Sequence, residues 1–215
     1  MSKRSNSVKT VAFVGMLGAL SCVLHLFRFP LPFVPAFYDF DIAELPALFA
    51  GFFMGPVAGC GVVLVKCVLK ILFQGSQTVF VGDLSNLLGS MTFILTASII
   101  YRRLHTKKGA KLALVVSTLV VSVVYVFLNA YLMLPMYASL YGLPIQTIVD
   151  MGHAVNPWVN DTVTLMVFAV FPFNLLKHGA TSVLTYLLYK RVGSALRNMM
   201  GLPAESPARR REPLQ

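Results

Sequence analysis

Phe171-Pro172-Phe173-Asn174-Leu175-Leu176-Lys177-His178-Gly179 is the stretch that decides how this chain is read. It opens the last strongly apolar segment, and Pro172 stands where a helix tolerates proline best, in its first turn. Asn174 and Lys177, three residues apart, then project from one helical face. A lysine there is disfavoured twice, because the run reads as membrane-embedded and a helix N-terminus repels cations. Something must compensate it, and a bound ligand with acceptor atoms is one candidate.

The composition around this stretch points the same way. The 215 residues are 57% hydrophobic and only 12% charged, with a mean hydropathy of +0.74. Soluble domains carry about 25% charged residues. The chain is therefore expected to be an all-α integral membrane protein, a single bundle of six transmembrane helices at about 20 residues each. The expected spans are 8–29, 42–53, 57–73, 79–101, 112–134 and 172–192. Residues 159–171 read as an interfacial or partly inserted helix.

The net charge of +10 does not indicate nucleic acid. Lys3, Arg4 and Lys9, the 102–111 connection, and Lys190, Arg191 and Arg197 all flank apolar segments, as the positive-inside rule requires. Both termini and the 102–111 connection are thus expected in the cytoplasm, with 202–215 as a disordered basic tail near anionic lipid. Cys22, Cys60 and Cys67 lie in apolar runs without a CxxC pair and read as small core residues. The four histidines lack metal-ligand spacing. No HExxH, GxSxG or phosphate-loop motif is present, so no catalytic residue, metal or cofactor is assigned.

Polar side chains accumulate at one depth. Asn129 falls near the outer end of the fifth span, Asn174 and Lys177 near the outer start of the sixth, and Asp83 and Asn86 at the start of the fourth. Above them runs a proline-rich loop, 30–41, whose aromatic residues include Phe37, Tyr38 and Phe40. It forms either a lid or an interfacial aromatic belt. Lys66 and Lys70 share a helical face and are expected to snorkel or to meet acids such as Asp39, Asp41 and Glu44. A polar-lined pocket is the economical reading of the cluster, since isolated charges cost about 2.5–3.5 kcal/mol in a bilayer. Asparagine offers donors and an acceptor, lysine donors only. Together they suit a planar heterocycle edge alternating carbonyls and N–H groups, with aromatic neighbours such as Phe173 and Tyr131 on its faces. Flavins, pterins and purines all have such an edge.

On the stretches 40–48, 82–86, 129–137 and 172–177, the chain resembles the substrate-binding S components of energy-coupling factor (ECF) transporters, most closely the riboflavin-specific branch. The resemblance implies a six-helix S component that captures riboflavin, or flavin mononucleotide (FMN), with high affinity from outside a bacterial cell. It implies two further things: a transmembrane coupling subunit with two cytoplasmic ATPases as partners, and tipping of the S component within the membrane. By the same resemblance Asn129, Asn174 and Lys177 meet the polar edge of the flavin and the 30–41 loop caps it. A small-residue face on the first helix, here Gly15 and Ala19, docks on the coupling subunit; ordinary packing is the alternative for that pair. Other readings are the same fold serving a pterin or thiamine, an intramembrane enzyme using Asp83, Lys177 and His178, and a membrane interaction protein with merely structural polar residues.

Overall fold

The structure, a computed structural model, describes residues 3–32, 34–35, 38–76, 78–142 and 144–200. The 202–215 tail and the loop residue Phe37 lie outside the described residues. Helix α1 spans Lys3–Leu26 and leads into a two-residue strand, β1 (Phe29–Pro30), paired antiparallel with β2 (Asp39–Phe40). The proline-rich loop is therefore anchored at both ends by a short hairpin ladder. Then come α2 (Leu45–Phe53), α3 (Pro56–Gln74), α4 (Val81–Leu104) and α5 (Lys107–Leu128). A π-helical turn, Asn129–Met133, carries α5 on into α6 (Leu134–Tyr141). After α7 (Ile145–Val155) and the short α8 (Thr162–Leu165), a second π turn, Met166–Val170, continues into α9 (Phe171–Met200).

Among the described residues, five helical stretches are long and apolar enough to cross a bilayer: Val8–Leu26, Pro56–Gln74, Val81–Leu104, Lys107–Tyr141 and Thr162–Leu196. The sixth member of the bundle, α2, has nine residues and is about 14 Å long at 1.5 Å per residue, short of a core of about 30 Å. It does not cross as the expected 42–53 span would. It is an interior plug instead: Pro46 through Phe52 are buried, and it touches α1, α3, α4 and α9. Its start is delayed to Leu45 because Asp41 Oδ1 accepts the Ala43 N–H at 2.9 Å and holds a turn there. Gly55, at φ 104°, turns the chain between α2 and α3. At Gly59 an added Cβ would lie 3.0 Å from Gly51 Cα, so these two glycines let the backbones touch.

The largest departure from expectation concerns Pro172. Helix does not begin there but at Thr162, capped by Asp161, whose side chain accepts the Thr164 N–H at 2.7 Å. Pro172 therefore sits inside a continuous helical run. It returns no N–H to Phe168, and the carbonyl of Phe168 is taken by Asn156 Nδ2 at 3.1 Å. The preceding π turn absorbs the register change. Pro135 stands in the same relation to its own π turn, two residues past its end. Residues 159–171 are thus largely the first turns of the last membrane helix. Cys22 is buried, Cys60 and Cys67 are half-buried, and all three thiols are free.

Candidate functional site

A cavity of about 530 Å³ opens at the end of the bundle that carries the hairpin. Asn129 arrives on the first residue of one π turn, and Asn174 and Lys177 lie just beyond the other. Both asparagines tie back to their own helices, Asn129 Nδ2 to Tyr125 O and Asn174 Nδ2 to Val170 O, each at 2.8 Å. That fixes which way the two amides point. Asn129, Asn174, Lys177, Asp83, Asn86 and Tyr38 all line the cavity. Phe40 does not; its ring packs on Phe29 at 5.3 Å, closing the hairpin. Tyr131 is 77% exposed and stacks on Phe127, away from the cavity. The aromatic walls are Tyr38, Tyr125, Tyr137 and Phe173, with Tyr38 and Phe173 5.3 Å apart.

The lysine is compensated from within the chain. Lys177 Nζ donates to Asp41 Oδ2 at 2.9 Å and to the Asp39 carbonyl at 3.3 Å. His25 Nδ1 approaches the same Asp41 oxygen at 3.1 Å. Burial pushes the Asp41 carboxyl up, but the Lys177 ammonium and His25 overcome it and hold the group well below the usual carboxylate range. Lys66 pairs with Glu44 at 3.0 Å and also donates to Asn86 and Ser90. Lys70 pairs with Asp83 at 2.5 Å, where Ser76 also donates. Arg28 pairs with Asp39 at 3.3 Å. Taking charged ions out of water costs several kcal/mol each, and the fold meets that cost by giving each of these four cations its own acid.

Tyr38 donates its hydroxyl to Asn129 Oδ1 at 2.8 Å, so the loop reaches across and touches the pocket wall. Burial pushes the Tyr38 phenol up, which keeps it a donor. His178, read as a candidate enzyme residue, does not line the cavity. Its ring sits between Phe93 and Tyr125, with Nδ1 against the Asn174 carbonyl at 2.9 Å. On α1, Gly15 and Ala19 are both exposed, and a Cβ added at Gly15 would meet nothing within 4 Å. They do not pack inside the bundle.

His25, Arg28, Asp41, Lys66 and Tyr125 belong to the site and were not named as binding residues from sequence. Their signal was a count: four lysines or arginines, at residues 28, 66, 70 and 177, matched by four acids between residues 39 and 83.

Residues 9–189 match the family described as ECF transporter, substrate-specific component. The chain belongs to that family. Among relatives of the ECF substrate-specific component, a riboflavin transporter RibU of Staphylococcus aureus (strain TCH60) is 32% identical over 89% of this chain and 94% of its own length. A riboflavin transporter FmnP of Bacillus subtilis (strain 168) is 30% identical over 85% of this chain and 90% of its own. The solved S component of a bacterial ECF transporter superposes with a TM-score of 0.69 at 31% identity, covering 89% of this chain and 99% of that one. As an ECF substrate-specific component, the chain is a multi-pass membrane protein that serves a transporter alongside other ECF components. The family is one of transporter components and not of enzymes, so the reading of Asp83, Lys177 and His178 as catalytic falls.

Proposed function

We propose that this chain is the riboflavin-capturing subunit of an ECF importer in a bacterial cell membrane. It takes riboflavin from the outer face for ATP-driven import by a transmembrane coupling subunit and two ATPases. The observation that carries the reading is the convergence of Asn129, Asn174 and Lys177 on one cavity, in a chain whose relatives are named riboflavin transporters. The cavity falls within the roughly 300–1,000 Å³ of small-molecule sites. The amides and ammonium supply the mixed donors and acceptor that the carbonyl and N–H edge of the isoalloxazine requires. Tyr38, Phe173 and Tyr125 offer faces to its rings. The clustering of basic residues at the opposite end of the bundle favours both termini in the cytoplasm. Gly15 and Ala19 form the exposed small-residue face for the coupling subunit.

The charges favour riboflavin over FMN or thiamine. Each lining lysine or arginine already has a carboxylate partner, so a phosphate finds no spare cation and a thiazolium no spare anion. The test is optical. Protein purified after expression with riboflavin present is expected to be yellow with quenched flavin fluorescence, and Asn174→Ala or Lys177→Ala to be colourless. A colourless wild type that binds a pterin or thiamine tightly would overturn the assignment.

A further inference from the structure

The end of the bundle opposite the cavity holds cations of a different kind. Arg102 and Arg103 close α4, Lys107, Lys108 and Lys111 open α5, and Lys190 and Arg191 lie on α9. Among the described residues none of them has a carboxylate within ion-pair distance; the four lysine or arginine ion pairs all belong to the cavity. The described acids are Asp39, Asp41, Glu44, Asp83, Asp150 and Asp161; of these only Asp83 shares a helix with any of these cations, and it stands in the first turn of α4 while Arg102 and Arg103 stand in the last. No acid occurs in the first turn of α5, where the helix dipole adds to the positive charge of the lysines.

Between α5 and α9 lies a hollow of about 400 Å³ lined by Lys108, Lys111, Leu112, Val115 and Tyr186. The Lys107 ammonium sits 4.9 Å above the centre of the Tyr186 ring, which places a third cation at its rim. Lys108, Lys111, Val115 and Leu119 follow one another at helical spacing on one stripe of α5. The stripe changes from cationic to apolar as it enters the span. Its apolar part is open: Leu112, Val115 and Leu119 are each about half exposed, and Val183 and Leu187 on α9 are more so.

We propose that this hollow is the headgroup site of an anionic phospholipid, with the phosphate on Lys108 and Lys111 and an acyl chain along Leu112, Val115 and Leu119. A cationic rim continuous with an apolar groove matches an amphiphile of that charge, whereas a free phosphate would use only the upper half. Ordinary positive flanks give a diffuse attraction to the leaflet. The hollow gives a retained, stoichiometric molecule.

The experiment uses the full chain in mild detergent, supplied with phosphatidylglycerol or phosphatidylcholine and observed by native mass spectrometry. The wild type is expected to retain one phosphatidylglycerol and no phosphatidylcholine. Lys108→Gln with Lys111→Gln should lower that retention at least fivefold. Arg102→Gln with Arg103→Gln removes equal charge outside the hollow and should leave it unchanged. Circular dichroism and thermal unfolding confirm that both variants fold. Equal losses in the two double variants, equal retention of the two lipids, or phosphatidylglycerol retained undiminished by Lys108→Gln with Lys111→Gln would each overturn the proposal.

Discussion

The Lys177 ammonium meets the Asp41 carboxylate at 2.9 Å inside the bundle, joining the last membrane helix to the turn that launches α2. Their side chains are 8% and 1% exposed. Removing one partner of such a pair strands the other, at a cost of about 3–5 kcal/mol. Lys177→Ala should therefore lower the unfolding temperature as well as abolish flavin binding. Lys177→Met with Asp41→Asn should recover most of the thermal stability while leaving binding lost. Thermal scans in detergent, read beside flavin titrations, separate the two effects.

Lys70 is a cavity cation silenced by Asp83, whose other carboxylate oxygen accepts from Ser76. Asp83→Asn leaves its ammonium without a counter-charge, and a charge-assisted bond to a phosphate is worth about 1.5–3 kcal/mol. FMN is expected to gain about tenfold or more in affinity relative to riboflavin, with the gain shrinking as salt is added. Competition titrations at two ionic strengths measure it, and an unchanged ratio counts against Lys70 as the silenced cation.

Tyr38→Phe removes one hydroxyl from Asn129 and keeps the ring beside Phe173. A bond of that kind contributes about 0.5–1.5 kcal/mol net, so riboflavin should bind severalfold more weakly, with its colour retained. Asn129→Ala removes the contact from the other side and should bleach the protein. Fluorescence quenching distinguishes the two.

The depressed Asp41 carboxyl sets the direction of the pH response. Its ordinary value is 3.8, and in the fold it lies well below that, held there by Lys177 and His25 against the cost of burial. A carboxylate whose folded value is lowered stabilises the fold fully above its ordinary value and loses that contribution as pH falls through the lower one. Stability from this pair is thus expected to stay constant from pH 8 to pH 5 and to decline only in stronger acid. A stability loss between pH 7 and 5 that Asp41→Asn removes would contradict the assignment.

The sequence made Asn129, Asn174 and Lys177 conspicuous because polar groups in apolar segments have few explanations. All three do reach one cavity. What stayed hidden was the identity of their partners. Lys66 and Lys70 could be matched with acids in general, but the pairing of Lys66 with Glu44 and of Lys177 with Asp41 depends on how α2 threads the bundle, and that of Lys70 with Asp83 on how α4 follows α3. Pro172 misled in a specific way: a proline opening an apolar run looks like a helix start, and nothing in the local residue pattern announces a π turn ahead of it. Asp161, with Thr164 three residues on, held the true start signal. Tyr131 failed as a wall residue because the π turn at Asn129–Met133 alters the facing of the residues within it.

Those two π turns make the protein respond unequally to shortening and to lengthening. Each residue advances a helix by about 100°, and each turn holds one residue more than the regular spiral, just before or at the amides that face the cavity. Excision of a single position between 166 and 170 would restore the regular spiral and keep Asn174 and Lys177 in phase, whereas insertion of one there would swing both by about 100° away from the cavity, with every chemical group still present and none of them aimed. A one-residue insertion within these ten residues, compared with a one-residue excision, is therefore a sharper probe of the pocket than most substitutions inside it.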